Sequence, residues 1–139
     1  MEQKDVFVGV TKGTPLEKQV GIIADAEVRG TKQYYALARA AREQGLSEEI
    51  ADKLEEMADQ ESNHGGFYAL LNAEAPVDVF AAMRQATKPE YNAGIVLQPV
   101  ADQLRAMGAE KAAQTVETFI AQEHHHGEML DELLSKYDK

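Results

Sequence analysis

The chain has 139 residues, enough for one domain with a core, and 44% of them are apolar, so it is neither disordered nor fibrous. The absence of cysteine removes disulfides, zinc–thiolate sites, iron–sulfur clusters and thiol nucleophiles, and it fits a reducing compartment. A net charge of −10 disfavours nucleic acid and anionic membrane as partners; no signal-peptide pattern or membrane-length apolar stretch is evident, so a cytoplasmic protein is expected.

In residues 1–13, Val6, Phe7, Val8 and Val10 predict an extended N-terminal arm ahead of a domain spanning 14–139. Thr14-Pro15-Leu16-Glu17 reads as a capping box with proline at the first helical position, opening helix A over about 15–44. Gly45 stops that helix, and Ser47 caps helix B, which runs over about 48–72. A linker follows at 72–76. Helix C lies within 78–107, with a kink expected from Pro89 and Pro99. Gly108 stops it, and helix D covers about 110–136. Short turns at Gly45 and Gly108 pair A with B and C with D as antiparallel hairpins, giving an all-α four-helix bundle with a B–C crossover.

The apolar seams carry the functional signal. At bundle spacing, helix A reads Val20, Ile23, Glu27, Gly30, Tyr34, Leu37, Ala41. Helix B reads Ile50, Leu54, Met57, Glu61, His64, Tyr68, Leu71, and helix D reads Ala112, Val116, Phe119, Glu123, His126, Leu130, Leu133. Three seams are thus interrupted by a glutamate, and two of those glutamates are followed three residues later by a histidine. Residues three apart share a helix face, so each Glu-x-x-His can aim a carboxylate and an imidazole at one ion.

An unpartnered buried carboxylate costs several kcal/mol, and three of them would exceed the roughly 5–15 kcal/mol by which a domain is stable. The seams supply no lysine or arginine, whereas two divalent cations would compensate the charge. Glu90 falls in phase on helix C and is read as a ligand, with Thr87-Lys88-Pro89-Glu90 as a capping box the alternative. Glu27 and Glu90 each precede their hairpin glycine by 18 residues, and Glu61 and Glu123 follow theirs by 16 and 15, so the hairpins look like halves of one pseudo-symmetric site. Carboxylates with imidazoles suit iron, with manganese as the alternative, and two such ions can share a bridging carboxylate. Tyr34, two turns from Glu27, is placed either as core or as a hydroxyl orienting a ligand carboxylate. His124 and His125 point away from the seam, and Glu48, Glu49, Glu55 and Glu56 read as a solvated helix face.

Over roughly 18–72 and 104–135 the chain resembles the rubrerythrins of the ferritin-like di-iron superfamily. The likeness rests on Ala58-Asp59-Gln60-Glu61-Ser62-Asn63-His64, on Glu27 with Tyr34, and on Glu123 to His126. It departs from the family in having no cysteine for a rubredoxin module, and in having Thr87 where a second third-helix glutamate would stand. The resemblance implies two iron ions on Glu27, Glu61, His64, Glu90, Glu123 and His126, and reduction of hydrogen peroxide or dioxygen. It also implies an external electron donor such as a rubredoxin-like protein, and a homodimer. The alternative is a ferritin-like iron-binding or ferroxidase protein without peroxidase turnover.

Overall fold

The computed structural model describes residues 7–74 and 78–139. Five helices carry the chain: α1 (Glu17–Glu43), α2 (Glu48–Leu71), α3 (Val79–Tyr91), α4 (Ala93–Ala106) and α5 (Glu110–Tyr137). No strand occurs among the described residues. The all-α class expected from the sequence is the class found. The chain divides into two compact units, Met1–Val77 and Asp78–Lys139.

The first unit is the α1–α2 hairpin. Gly45, at φ +72°, turns the chain out of α1 in a Schellman motif: Leu46 N–H reaches the Ala41 carbonyl and Gly45 N–H the Arg42 carbonyl, both at 3.0 Å. Ser47 then caps α2 by accepting from Glu49 N–H at 3.3 Å. Ala24, Ala38, Ala41, Ala51, Ala58 and Gly65 are buried in this unit. Small residues at an interface let helix backbones approach closely, and the larger seam residues Leu37, Ile50 and Met57 stay 43–45% exposed.

The second unit repeats the plan. Gly108, at φ +84°, closes α4 with the same pair of bonds, Ala109 N–H to Leu104 O at 2.9 Å and Gly108 N–H to Arg105 O at 3.0 Å. Ala101, Ala113 and Gly127 are its buried small residues. The expected helix C is two helices rather than one kinked at a proline. Asn92 ends α3 and starts α4, while Pro89 and Pro99 sit inside helices. Asp78 caps α3 by accepting from Ala81 N–H at 3.0 Å.

The N-terminal arm is not extended where it is described. Residues 8–16 form successive turns, and Val6 lies outside the described residues. The Thr14–Glu17 capping box does not form: α1 starts two residues later than expected, from Leu16, without a side-chain cap. Thr14 Oγ1 instead accepts from Leu16 N–H and donates to Thr11 O, and Glu17 pairs with Lys12 at 3.0 Å. The arm is held at the far end of α2. Gly9 and Thr11 N–H groups bond the Leu70 and Leu71 carbonyls at 3.0 Å, at the end of the helix where carbonyls lack intrahelical partners four residues on. Buried Asn72 accepts from the Thr11 hydroxyl and donates to Glu17 O at 2.8 Å, tying the arm, α1 and α2 together.

Asn72→Ala would leave the buried Thr11 hydroxyl without its acceptor and break the tie to Glu17. It is expected to lower the unfolding free energy by about 1–3 kcal/mol in urea titrations. Unchanged stability would mean that the arm is not docked through this residue.

Candidate metal centre

In the first unit, Glu27 projects from the middle of α1, and Glu61 and His64 from one face of α2. The close approach of the helices puts a Cβ built on Gly65 only 3.5 Å from Glu27 Cβ. Gly30, on the turn after Glu27, leaves the space that the Glu61 carboxylate fills: a Cβ there would stand 2.8 Å from Glu61 Oε2. One ligand atom from each of Glu27, Glu61 and His64 lies within 4.8 Å of the others.

The second unit gathers Glu90 from α3 with Glu123 and His126 from α5, again within 4.8 Å of one another. The capping alternative for Glu90 does not hold. Thr87 is inside α3, and its hydroxyl donates to Met83 O at 2.8 Å. Each hairpin therefore brings together two carboxylates and one imidazole.

Among the described residues, Glu27 Oε2 and Glu90 Oε2 are buried and accept no hydrogen bond. His64 Nδ1 stands 3.4 Å from the first and His126 Nδ1 3.4 Å from the second, without hydrogen-bond geometry. A buried, unsatisfied carboxylate oxygen is costly. An orphaned oxygen beside a second carboxylate and an imidazole fits the oxygen- and nitrogen-donor set of a divalent iron or manganese ion. The imidazoles are about half exposed, and open clefts of about 350 Å³ and 650 Å³ are lined in part by His64 and by His126.

The electrostatics of each hairpin differ sharply between its turn and its middle. Near the turn, Arg42 bonds Glu48 and Glu55, and Arg105 bonds Glu110 and Glu117. These guanidiniums hold Glu55, Glu110 and Glu117 below the usual carboxylate range. In the middle the direction reverses. In each triad the neighbouring carboxylate, Glu27 beside Glu61 and Glu90 beside Glu123, together with desolvation pushes the second carboxyl up, with His64 and His126 opposing.

Of the remaining sequence candidates, Tyr34 is half-buried on α1, and it is the next residue, Tyr35, whose hydroxyl donates to Asp59. His124 and His125 are exposed, as expected. His124 Nδ1 lies 3.2 Å from Glu128 and its ring packs edge-on to Tyr91 at 4.8 Å. Glu48 and Glu55, expected as a solvated face, are exposed or half-exposed yet paired to Arg42. The arginine clamps were missed, although Arg-x-x-Gly recurs at 42–45 and 105–108 with glutamates at 48 and 55 and at 110 and 117.

Two expectations follow. A carboxyl raised in the folded state binds its proton more readily there than in the unfolded chain. Stability is then gained as pH falls toward the ordinary carboxylate range and lost as pH rises through the raised value. Metal-free protein should melt at higher temperature near about pH 5 than near about pH 7, and Glu61→Gln combined with Glu123→Gln should make that slope shallower; a double variant keeping the parent's slope contradicts the assignment. Gly30→Ala places its Cβ against the end of a flexible side chain, and alanine favours a helix by about 0.8–1 kcal/mol over glycine. The melting temperature should hold or rise while metal uptake at the Glu27 triad weakens; wild-type affinity would show that the space at Gly30 does not place Glu61.

The sequence pattern of the rubrerythrin family matches residues 24–104, more than half of the chain, and takes in Glu27, Glu61, His64 and Glu90. Glu123 and His126 lie beyond that match and rest on the repeated geometry. An uncharacterized protein of Methanocaldococcus jannaschii is 30% identical over 132 residues, covering 95% of this chain and 93% of that one. No solved structure matches. By the extent of the family match, and in keeping with its all-α class of fold, the chain belongs to the rubrerythrin family.

Proposed function

We propose that this chain is a non-haem di-iron oxidoreductase that reduces hydrogen peroxide or dioxygen. In this reading residues 14–139 act as one metal-binding domain. Glu27, Glu61 and His64 bind one iron ion, and Glu90, Glu123 and His126 bind the other, with manganese as the alternative metal. The observation that carries the reading is the pair of buried oxygens that accept no hydrogen bond, Glu27 Oε2 and Glu90 Oε2, each within a cluster of two carboxylates and a histidine. Family membership supports iron as the metal.

The ferrous pair, when bound, supplies the two electrons that convert one peroxide and two protons to two waters. The chain's own residues hold and shape the site. Glu27 and Glu90, with side chains 19% and 26% exposed, are the carboxylates sheltered beneath the half-exposed histidines of their triads, at 54% and 50%. The half-exposed His64 and His126 border the clefts by which a small oxidant enters. Tyr34 offers a hydroxyl to orient a ligand carboxylate. Electrons come from a separate donor of the rubredoxin type, since the chain has no cysteine to hold a rubredoxin iron. The reading includes a cytoplasmic homodimer. No helix among the described residues is long and apolar enough to cross a membrane.

Elemental analysis should find about two metal ions per chain, and Glu61→Ala or His126→Ala should each lose at least one. Peroxide should be consumed steadily while an artificial electron donor is supplied. Unchanged metal content in both variants contradicts the ligand set. A single stoichiometric burst followed by ferric accumulation contradicts peroxidase turnover and indicates iron handling instead.

A further inference from the structure

The two triads are held by backbones of unequal firmness. Glu27 sits in the interior of α1, an uninterrupted helix of 27 residues. Glu90 is the next-to-last residue of α3. Just before it, Pro89 has no N–H to give to the carbonyl four residues back, and just after it the helix stops at Asn92. A ligand carboxylate on so weakly braced a turn needs support from outside its own helix.

Tyr91 gives that support. It follows Glu90 directly, and three of its ring carbons would lie 3.0 Å from a Cβ built on Gly127, the residue directly after His126. The missing side chain at Gly127 is thus the seat of the Tyr91 ring. The ring also packs edge-on against His124 at 4.8 Å, and the Tyr91 hydroxyl donates to Asp131 at 2.7 Å. These contacts with α5 fall on both sides of His126 in the sequence. The first hairpin repeats the wedge in apolar form only: Val28 follows Glu27, and its Cγ2 would lie 3.8 Å from a Cβ on Gly65, which follows His64. Ser62 and Ala69 stand where the second hairpin has His124 and Asp131.

We infer that Tyr91 is a positioning residue: it fixes the α3 turn to α5 and so sets the Glu90 carboxylate against Glu123 and His126, a brace that the Glu27 triad does not need. The inference rests on the metal-site reading above, and the test separates the two. A full-length parent carrying Glu61→Ala and His64→Ala leaves the second triad to report alone. Cobalt(II) serves as the probe, since its visible absorption follows ligand geometry.

Tyr91→Val in that parent should weaken cobalt binding by about tenfold or more, as loss of an outer support typically does, and should alter the absorption band. Tyr91→Phe, which keeps the ring on Gly127 and loses only the Asp131 bond, should fall between. In a second parent, disabled by Glu123→Ala and His126→Ala, Tyr91→Val should leave cobalt binding by the Glu27 triad unchanged, which also controls for loss of fold. A first parent that binds one cobalt, with an affinity and spectrum indifferent to Tyr91→Val, overturns the positioning role alone. Equal weakening in both parents also overturns it, as a general loss of structure. A first parent that takes up no cobalt overturns the metal-site reading together with the inference.

Discussion

Two glutamates brought together across a helix pair repel one another at neutral pH, and each hairpin of this chain makes that juxtaposition in its middle. The rest of the structure is arranged around it. Alanines and glycines at the helix contacts allow the close approach, Gly30 makes room for one carboxylate, and a histidine one turn on completes each cluster. The strain is visible in the upward displacement of the Glu61 and Glu123 carboxyls and in the unsatisfied oxygens of Glu27 and Glu90. Near the turns the chain neutralises its glutamates internally with Arg42 and Arg105. Among the described residues, the ion pairs of the triad carboxylates run only to their own histidines. A polypeptide that places arginines in one region and leaves paired carboxylates in the other has left a charge deficit of the kind a divalent cation fills.

The two hairpins repeat one plan. Each has a glutamate on its first long segment, an arginine in the last turn, a left-handed glycine in a Schellman motif, two clamped glutamates, then Glu-x-x-His followed by a buried glycine. The repeat matters for the proposed function because it yields two similar donor sets from one chain, as a pair of ions serving a two-electron reaction would require. Its departures matter equally. Where the first hairpin relies on an unbroken helix behind Glu27, the second has a proline, a helix break and an aromatic wedge.

Most of the candidate site was legible in the sequence because a charged residue in an apolar seam violates the pattern that surrounds it. Glu27, Glu61, His64, Glu123 and His126 were found that way, and Glu90 by phase and by the echo around Gly108. Local signals misled where tertiary contact overrode them. Thr14 looked like a cap, yet the arm turns back to α2, and its ties through Asn72 span 61 residues that no local pattern reveals. The prolines drew the expected kink away from Asn92, which carries little breaker signal on its own. Tyr91 was passed over because its partners, Gly127 and Asp131, sit on another helix.

The central claim is that cations compensate these paired, half-buried carboxylates, and the most direct measurement of it is thermal unfolding of one preparation before chelation, after exhaustive chelation, and after anaerobic return of ferrous ion. Binding confined to the folded state raises stability by mass action, by roughly 2.7 kcal/mol per site at a hundredfold excess over Kd. The account predicts a melting temperature that drops on chelation and recovers with iron. A melting temperature indifferent to both treatments would contradict it.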